Sequence, residues 1–210
     1  KQQDAVLGKK ALCIVCGSNL DFGQLAWIGR HAGIGGGRRR YMRFEIGEYS
    51  GGMLDLISSA LDGINIIEFQ YGKVNEEKAW PVIGFEASPM ELELLDKRLK
   101  ELEIPYENVT SEEDVEFRII HYEPDLFHYP YFIKLEFPER AGALHDFLEE
   151  IKGKANMCYF NYAYTGEQVG RALLGFEFGS EDEQKRFKHL LSESEHNFTK
   201  ISDNTLERVL

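Results

Sequence analysis

Cysteine is scarce in this chain: Cys13, Cys16 and Cys158 are the only three in 210 residues. So odd and sparse a set builds no disulfide framework and suits a reducing compartment. Cationic charge is also short, with 24 Lys and Arg against 36 Asp and Glu, a formal net charge of −12. That balance repels phosphate backbones and anionic bilayers, so neither nucleic acid nor membrane is expected as a partner. No apolar run approaches membrane-spanning length, and no signal-peptide pattern opens the sequence. Motifs that carry chemistry are missing as well: there is no Gly-x-Ser-x-Gly, no phosphate-cradling glycine loop and no lysine in a recognisable catalytic setting. The pair Cys13-Ile-Val-Cys16 invites a metal or redox reading. On a strand, however, side chains three apart leave opposite faces, and no histidine or second cysteine pair completes a zinc set. We therefore expect no metal.

What the chain does have is repetition. Phe137-Pro-Glu-Arg-Ala-Gly-Ala-Leu144 reads as a strand that breaks at Pro138, turns through Gly142 and launches a helix. Leu144, Phe147, Leu148 and Ile151 fall on one face of that helix. Phe44-Glu-Ile-Gly-Glu-Tyr-Ser-Gly-Gly-Met-Leu54 has the same form, and a shift of 91 positions aligns the two. The shift pairs Glu48 with Glu139, Gly51 with Gly142, Asn65 with Asn156, Phe69 with Phe160, Tyr71 with Tyr162 and Glu86 with Glu177. So many glycine and aromatic matches under one shift mark a tandem repeat of a single folding unit.

In chain order, residues 10–15 read as a short buried strand and 22–32 as a helix with Phe22, Leu25, Ala26, Ile28 and Gly29 inward. No partner strands precede this pair, so 1–33 reads as the tail of a larger α/β domain. Gly33-Ile-Gly-Gly-Gly37 and Arg38-Arg-Arg40 read as a linker, 34–40, whose arginines either bind an anion or pair with acidic neighbours. The first repeat, 41–110, reads βαββαβ: strands at 41–46, 64–71, 79–86 and 105–109, a helix with Met53, Leu56, Ile57, Ala60 and Leu61 inward, and a second helix opened by the capping box Ser88-Pro-Met-Glu91. A charged hairpin is expected at 73–78 and an acidic connector at 111–130 with a short strand at 117–122. The second repeat, 131–210, follows the same order, repeats the capping box at Ser180-Glu-Asp-Glu183 and ends in an amphipathic tail. The fold class is α+β, two ferredoxin-like units packed side by side. Units of this size need a covering partner, and the chain is expected to self-associate.

The candidate site lies at the two glycine turns. Gly51 and Gly142 let the backbone approach a ligand, and the free N–H groups of each following helix turn suit a carboxylate. Tyr71 and Tyr162 end the second strand of each repeat. They either pack in the core or wall a pocket for a small amphipathic molecule such as a branched amino acid.

These residues carry a resemblance. The segment 137–144, followed by Asn156-Met-Cys-Tyr-Phe-Asn-Tyr162 and Gly170-Arg-Ala-Leu-Leu-Gly175, is similar to the C-terminal regulatory region of biosynthetic threonine dehydratase (threonine deaminase). Ile67-Glu-Phe-Gln-Tyr71 resembles the first ACT-like half of that region, and Cys16-Gly-Ser-Asn-Leu-Asp-Phe22 the last strand and helix of its pyridoxal phosphate domain. The resemblance implies tandem ACT-like repeats that bind isoleucine as inhibitor and valine as its antagonist, and so control threonine deamination by a catalytic domain in a homo-oligomer. It implies effector contacts at Tyr71 and Tyr162, an arginine tied to feedback sensitivity at Arg140, and a cofactor contact at Cys16 in an intact parent enzyme. The chain itself is expected to hold no cofactor; the parent would carry pyridoxal phosphate and lie in the cytoplasm, or in a plastid or mitochondrion. The chain is then an excised fragment or a stand-alone regulatory paralogue, and the rival reading is a non-catalytic assembly module with degenerate effector sites. Without a Schiff-base lysine, the purified chain mixed with pyridoxal phosphate and threonine is expected to yield no 2-oxobutanoate, and stoichiometric threonine-dependent product would refute this.

Overall fold

Alternation and helical periodicity produce the expected elements in both halves of the chain. The computed structural model describes residues 7–8, 10, 22–138, 142–164, 169–194 and 196–210. The expected strand at 10–15 and the Cys13–Cys16 pair lie outside these. Helix α1 (Phe22–Gly35) comes first, then β1 (Arg39–Phe44), β2 (Ile46–Gly47), α2 (Gly52–Ala60), β3 (Ile66–Gly72), β4 (Lys78–Ala79), β5 (Val82–Glu86), α3 (Pro89–Glu101) and β6 (Tyr106–Asn108). A short helix α4 (Glu113–Glu116) and a 3-10 turn at Pro124–Leu126 lead to β7 (Tyr131–Pro138). The second unit continues with α5 (Ala143–Ile151), β8 (Asn156–Ala163), β9 (Val169–Glu177), α6 (Glu181–Glu193), β10 (Asn197–Lys200) and a final helix α7 (Asp203–Val209).

Eight strands form one sheet in the order β10-β7-β9-β8-β3-β5-β1-β6. Each half contributes four strands with its first strand between its fourth and third, the ferredoxin-like arrangement. The halves meet where β3 pairs antiparallel with β8, Phe69 opposite Tyr162, Gln70 opposite Asn161 and Tyr71 opposite Phe160. Gln70 and Asn161 are themselves related by the 91-residue shift, so a local pseudo-twofold axis passes between them. The inner edges that each unit would expose are thus consumed by the other. On the helical face Phe69 and Phe160 stack with ring centroids 4.4 Å apart. Both are fully buried, within a core that also takes Leu56 and Ile57 of α2 and Phe147 and Leu148 of α5. On the reverse face Arg118 crosses the axis, donating to the Glu68 carboxylate at 2.5 Å, to the Tyr162 carbonyl at 3.2 Å and to Asn161 Oδ1.

Several local expectations change in three dimensions. Helix α1 runs on to Gly35, and Arg39 and Arg40 already pair with Glu86 and Phe85 of β5, so the expected linker is divided between a helix end and a strand start. Two of its arginines form ion pairs, Arg39 with Glu86 at 3.4 Å and Arg40 with Asp96 at 2.7 Å. The face of α1 expected to be inward, Leu25 and Ile28, is exposed together with Trp27. Instead Arg30 donates to the Glu116 carbonyl at 3.0 Å and Gly33 and Ile34 lie against the body. No strand forms at 117–122: Arg118 takes a φ of 56° and Phe117 is 71% exposed. The Ser88 capping box is complete, whereas Glu183 turns to the Gly179 amide instead of its cap residue. Truncating Phe160 to Ala removes the stacked ring at the junction and is expected to cost about 3–5 kcal/mol in urea unfolding; a loss below about 1 kcal/mol would mean that the halves do not rely on that contact.

Candidate functional site

The two glycine turns have the same backbone. Gly51 caps α2 with φ 102° and ψ −9°, and Gly142 caps α5 with φ 81° and ψ −9°. Left-handed values of this kind are open to glycine and strained for other residues, which explains why both repeats carry glycine here. Each turn faces the other half of the molecule across the β3–β8 junction. The Gly142 turn meets the end of α2 and the start of β3; the Gly51 turn meets the end of α5 and the start of β8.

At the Gly142 turn there is a cavity of about 410 Å³. Ile57, Ile64, Leu144 and Phe137 supply apolar wall, Tyr162 stands within it, and Asn65 and Glu86 bring polar groups. The Tyr162 ring lies 5.3 Å from that of Phe137 and is 4% exposed, so this tyrosine belongs to both the core and the cavity wall. The Glu86 carboxylate meets Arg39 at 3.4 Å while its side chain stays 44% exposed. A hydrophobic wall with a few convergent polar groups, of this volume, suits a small amphipathic ligand.

The Gly51 turn is built from equivalent residues, yet the space at the turn itself is only about 20 Å³, room for about one water, and a separate cavity of about 690 Å³ opens beside it along Ser50, Asn156 and Glu177. Glu48 lies across it and accepts hydrogen bonds from the Tyr71 hydroxyl and, at 2.7 Å, from Asn156 Nδ2. Asn156 Nδ2 also donates to Glu177 at 2.8 Å, and Glu177 accepts from Lys73 Nζ at 2.7 Å. Ser50 closes the outer side by donating to the Ala155 carbonyl at 2.6 Å. Lys73, expected in a charged hairpin, is 2% exposed. Burial alone would lower its pKa, but its hydrogen bonds to Glu177 and Glu76 outweigh that and raise it, keeping the ammonium charged. Tyr71 is 2% exposed; burial and the adjoining Glu48 carboxylate push its phenol far up, so it remains a neutral donor.

The expected site residues therefore divide. Gly142 and Tyr162 share the open cavity. Gly51 lines the closed one, and Tyr71 is tied to its Glu48. Arg140 and Cys16 lie outside the described residues. Lys73, Glu48 and the Asn156–Glu177 pair were not singled out as site residues by sequence reasoning, although the repeat shift had already matched Asn65 with Asn156 and Glu86 with Glu177. Gly72 also has a structural reason: a Cβ there would meet the His121 carbonyl oxygen at 2.3 Å.

Two βαββαβ units joined edge to edge, with pockets at the glycine turns of their junction, define a tandem ACT-like architecture. Residues 129–210 match the family described as the C-terminal regulatory domain of threonine dehydratase, which bears out the resemblance read from the sequence. Over 180 residues, 82% of this chain and 29% of the relative, the sequence is 27% identical to a threonine dehydratase of Nicotiana attenuata. It is 24% identical to the biosynthetic L-threonine dehydratase of Haemophilus influenzae over 96% of this chain and 39% of the relative. With that of Escherichia coli it shares 27% identity over 90% of this chain and 37% of the relative. The chain thus spans about a third of the length of these curated relatives. Among solved structures, a putative glycine cleavage system transcriptional repressor superposes with a TM-score of 0.29 at 11% identity, covering 78% of this chain and 96% of that one.

Glu48 makes a measurable contribution to pH dependence. Its pKa is raised by burial, against the opposing hydrogen bonds from Tyr71 and Asn156. The folded state therefore holds this proton more tightly than the unfolded state does. The stability Glu48 contributes is present at acid pH and falls as pH rises through its folded pKa. A Glu48→Gln variant has no such loss, so its Tm relative to wild type is expected to climb as pH rises above the ordinary carboxylate range. Thermal melts of both proteins across that rise in pH measure it, and a difference independent of pH would contradict the assignment.

Proposed function

We propose that this chain is the effector-sensing part of a threonine dehydratase-like lyase and that it binds a branched-chain amino acid at the Gly142 turn. The observation that carries this reading is the cavity of about 410 Å³ in which Tyr162, Leu144 and Ile57 surround space beside a glycine-capped helix start. The first amides of α5 would receive the ligand's carboxylate, helped by the positive end of the helix. Asn65 and the Glu86 carboxylate would receive its ammonium group, and the apolar wall its branched side chain. Isoleucine as inhibitor and valine as antagonist are the effectors that fit this chemistry.

The activity controlled would be deamination of threonine in a catalytic domain outside this chain. Exposed Leu25, Trp27 and Ile28 on α1 supply an apolar face for such a domain to cover. Pyridoxal phosphate would supply the electron sink in that domain. Cys16, the one residue here that the resemblance connects with it, lies outside the described residues, and no described residue is assigned to hold it. In this reading Arg140 tunes feedback sensitivity, the Gly51 and Tyr71 half is the pseudo-symmetric counterpart of the effector site, and the assembled enzyme is a homo-oligomer. The units are those expected at 41–110 and 131–210, joined by 111–130. The space of only about 20 Å³ at the Gly51 turn, crossed by Glu48, is the observation that favours the rival reading, an assembly module with degenerate sites.

Titration calorimetry separates the two. Isoleucine buries three more carbons than alanine, at most about 2.4 kcal/mol of additional binding free energy, so a preference above tenfold is expected. Tyr162→Ala is expected to weaken isoleucine binding while leaving a cooperative thermal transition. Equal affinity for isoleucine and alanine, or no binding at millimolar concentration, would leave the assembly reading standing.

A further inference from the structure

On the reverse face of the sheet, the connector after β6 roofs a further cavity of about 300 Å³, with β3 and β5 beneath it. Val74, Trp80, Val82, Ile119 and Ile120 give this cavity an apolar wall. The roof is held at both ends. Before Ile119, Arg118 bonds to Glu68 and Asn161 across the junction. After Ile120, the His121 carbonyl oxygen passes so near Gly72 that a Cβ there would lie 2.3 Å from it, and the Glu123 amide donates to the Lys73 carbonyl at 2.9 Å. The space is therefore preformed, and filling it requires little ordering of the chain.

Gln70 lies in the floor of this cavity. Strand alternation sends Phe69 and Tyr71 into the core and Gln70 to the reverse face, where it is 4% exposed. Its Nε2 is buried and has no hydrogen-bond partner among the described residues. Asn161, directly opposite on β8, gives its oxygen to Arg118, and no such group meets Gln70. A buried donor left unpaired is unfavourable, and an acceptor brought to it removes that cost. The terminal torsion of a glutamine is soft, so the amide can turn toward an entering oxygen. The charged groups around the cavity are already engaged: Arg43 pairs with Asp114 at 3.0 Å and Glu107 at 3.4 Å, and His121 contacts Glu123 at 3.1 Å. An ionic ligand would have to displace one of these partners, whereas a neutral one leaves them in place.

We propose that this cavity is a binding site for a small neutral molecule with an apolar body and a carbonyl oxygen. The oxygen accepts from Gln70 Nε2, and the body lies against Trp80 and Ile120. The site is on the opposite face of the sheet from the Gly142 cavity and shares no lining residue with it, so it stands independently of the effector reading.

Heteronuclear NMR of the isotope-labelled full chain tests this with acetophenone and with ethylbenzene, which has a similar body and no oxygen. Trp27 and Trp80 are the only tryptophans, so their indole N–H resonances separate the site from the rest of the surface. Millimolar acetophenone is expected to shift the Trp80 resonance saturably and to leave Trp27 unmoved. The ratio of acetophenone to ethylbenzene affinity is expected to fall about fivefold or more in Gln70→Leu, the worth of one hydrogen bond. A measurement on wild type needs no variant: the Gln70 side-chain amide protons should move downfield with acetophenone and not with ethylbenzene. Absence of a saturable Trp80 shift, or equal shifts of both tryptophans, would overturn the site. An affinity ratio unchanged in Gln70→Leu, or Gln70 amide protons that respond alike to both compounds, would overturn the carbonyl-bearing class of ligand.

Discussion

The antiparallel pairing of β3 with β8 is the constraint on which the rest of the molecule depends. Each ferredoxin-like unit alone would leave an inner strand edge and the flanks of its helices uncovered. Joining the two at Gln70 and Asn161 satisfies both edges and stacks Phe69 on Phe160. The same pairing sets each glycine turn against the strand start of the opposite half, so the pockets are products of the junction and exist in neither unit alone. Arg118 reinforces it from the reverse face by bonding to Glu68 on one strand and Asn161 on the other.

A pseudo-twofold axis invites the expectation of equal sites, and the buried polar groups break that equality. Glu48, Asn156, Glu177 and Lys73 form one connected set in the Gly51 half. Such a set is held only while its members remain paired, because an unpartnered buried charge is costly. It acts as a strut beside the Gly51 turn, where about 20 Å³ remains, while a cavity of about 690 Å³ opens along Asn156 and Glu177. At the repeat-related positions 73 and 164, Lys73 is 2% exposed and Tyr164 46% exposed.

Much of the architecture was legible because it is local. The stripe Met53, Leu56, Ile57, Ala60 became the buried face of α2, and Ser88-Pro-Met-Glu91 became a complete capping box. The repeat shift found two glycines with nearly the same left-handed backbone. Where an outcome depended on distant partners, sequence patterning fell short. Residues 117–122 have strand-like composition but pair with no strand, and the chain there turns so that Arg118 reaches the junction. The apolar side of α1 reads as inward by its periodicity, yet Leu25 and Ile28 face outward because the described body meets the helix at Arg30 and Gly33 instead.

The sequence by itself determined the repeated βαββαβ order, the glycine turns, the capped helices and the two tyrosines at strand ends. These follow from periodicity and backbone freedom within about a dozen neighbouring residues. Only the tertiary structure decided that β3 and β8 join the units and that one tyrosine borders an open cavity while the other is tied to Glu48. It likewise decided that a lysine in a charged hairpin is buried. Lys73 and Glu177 stand 104 positions apart, as Glu48 and Asn156 stand 108 apart. Whether a charged side chain faces water or a partner depends on what the folded sheet brings beside it, and local pattern holds no record of that.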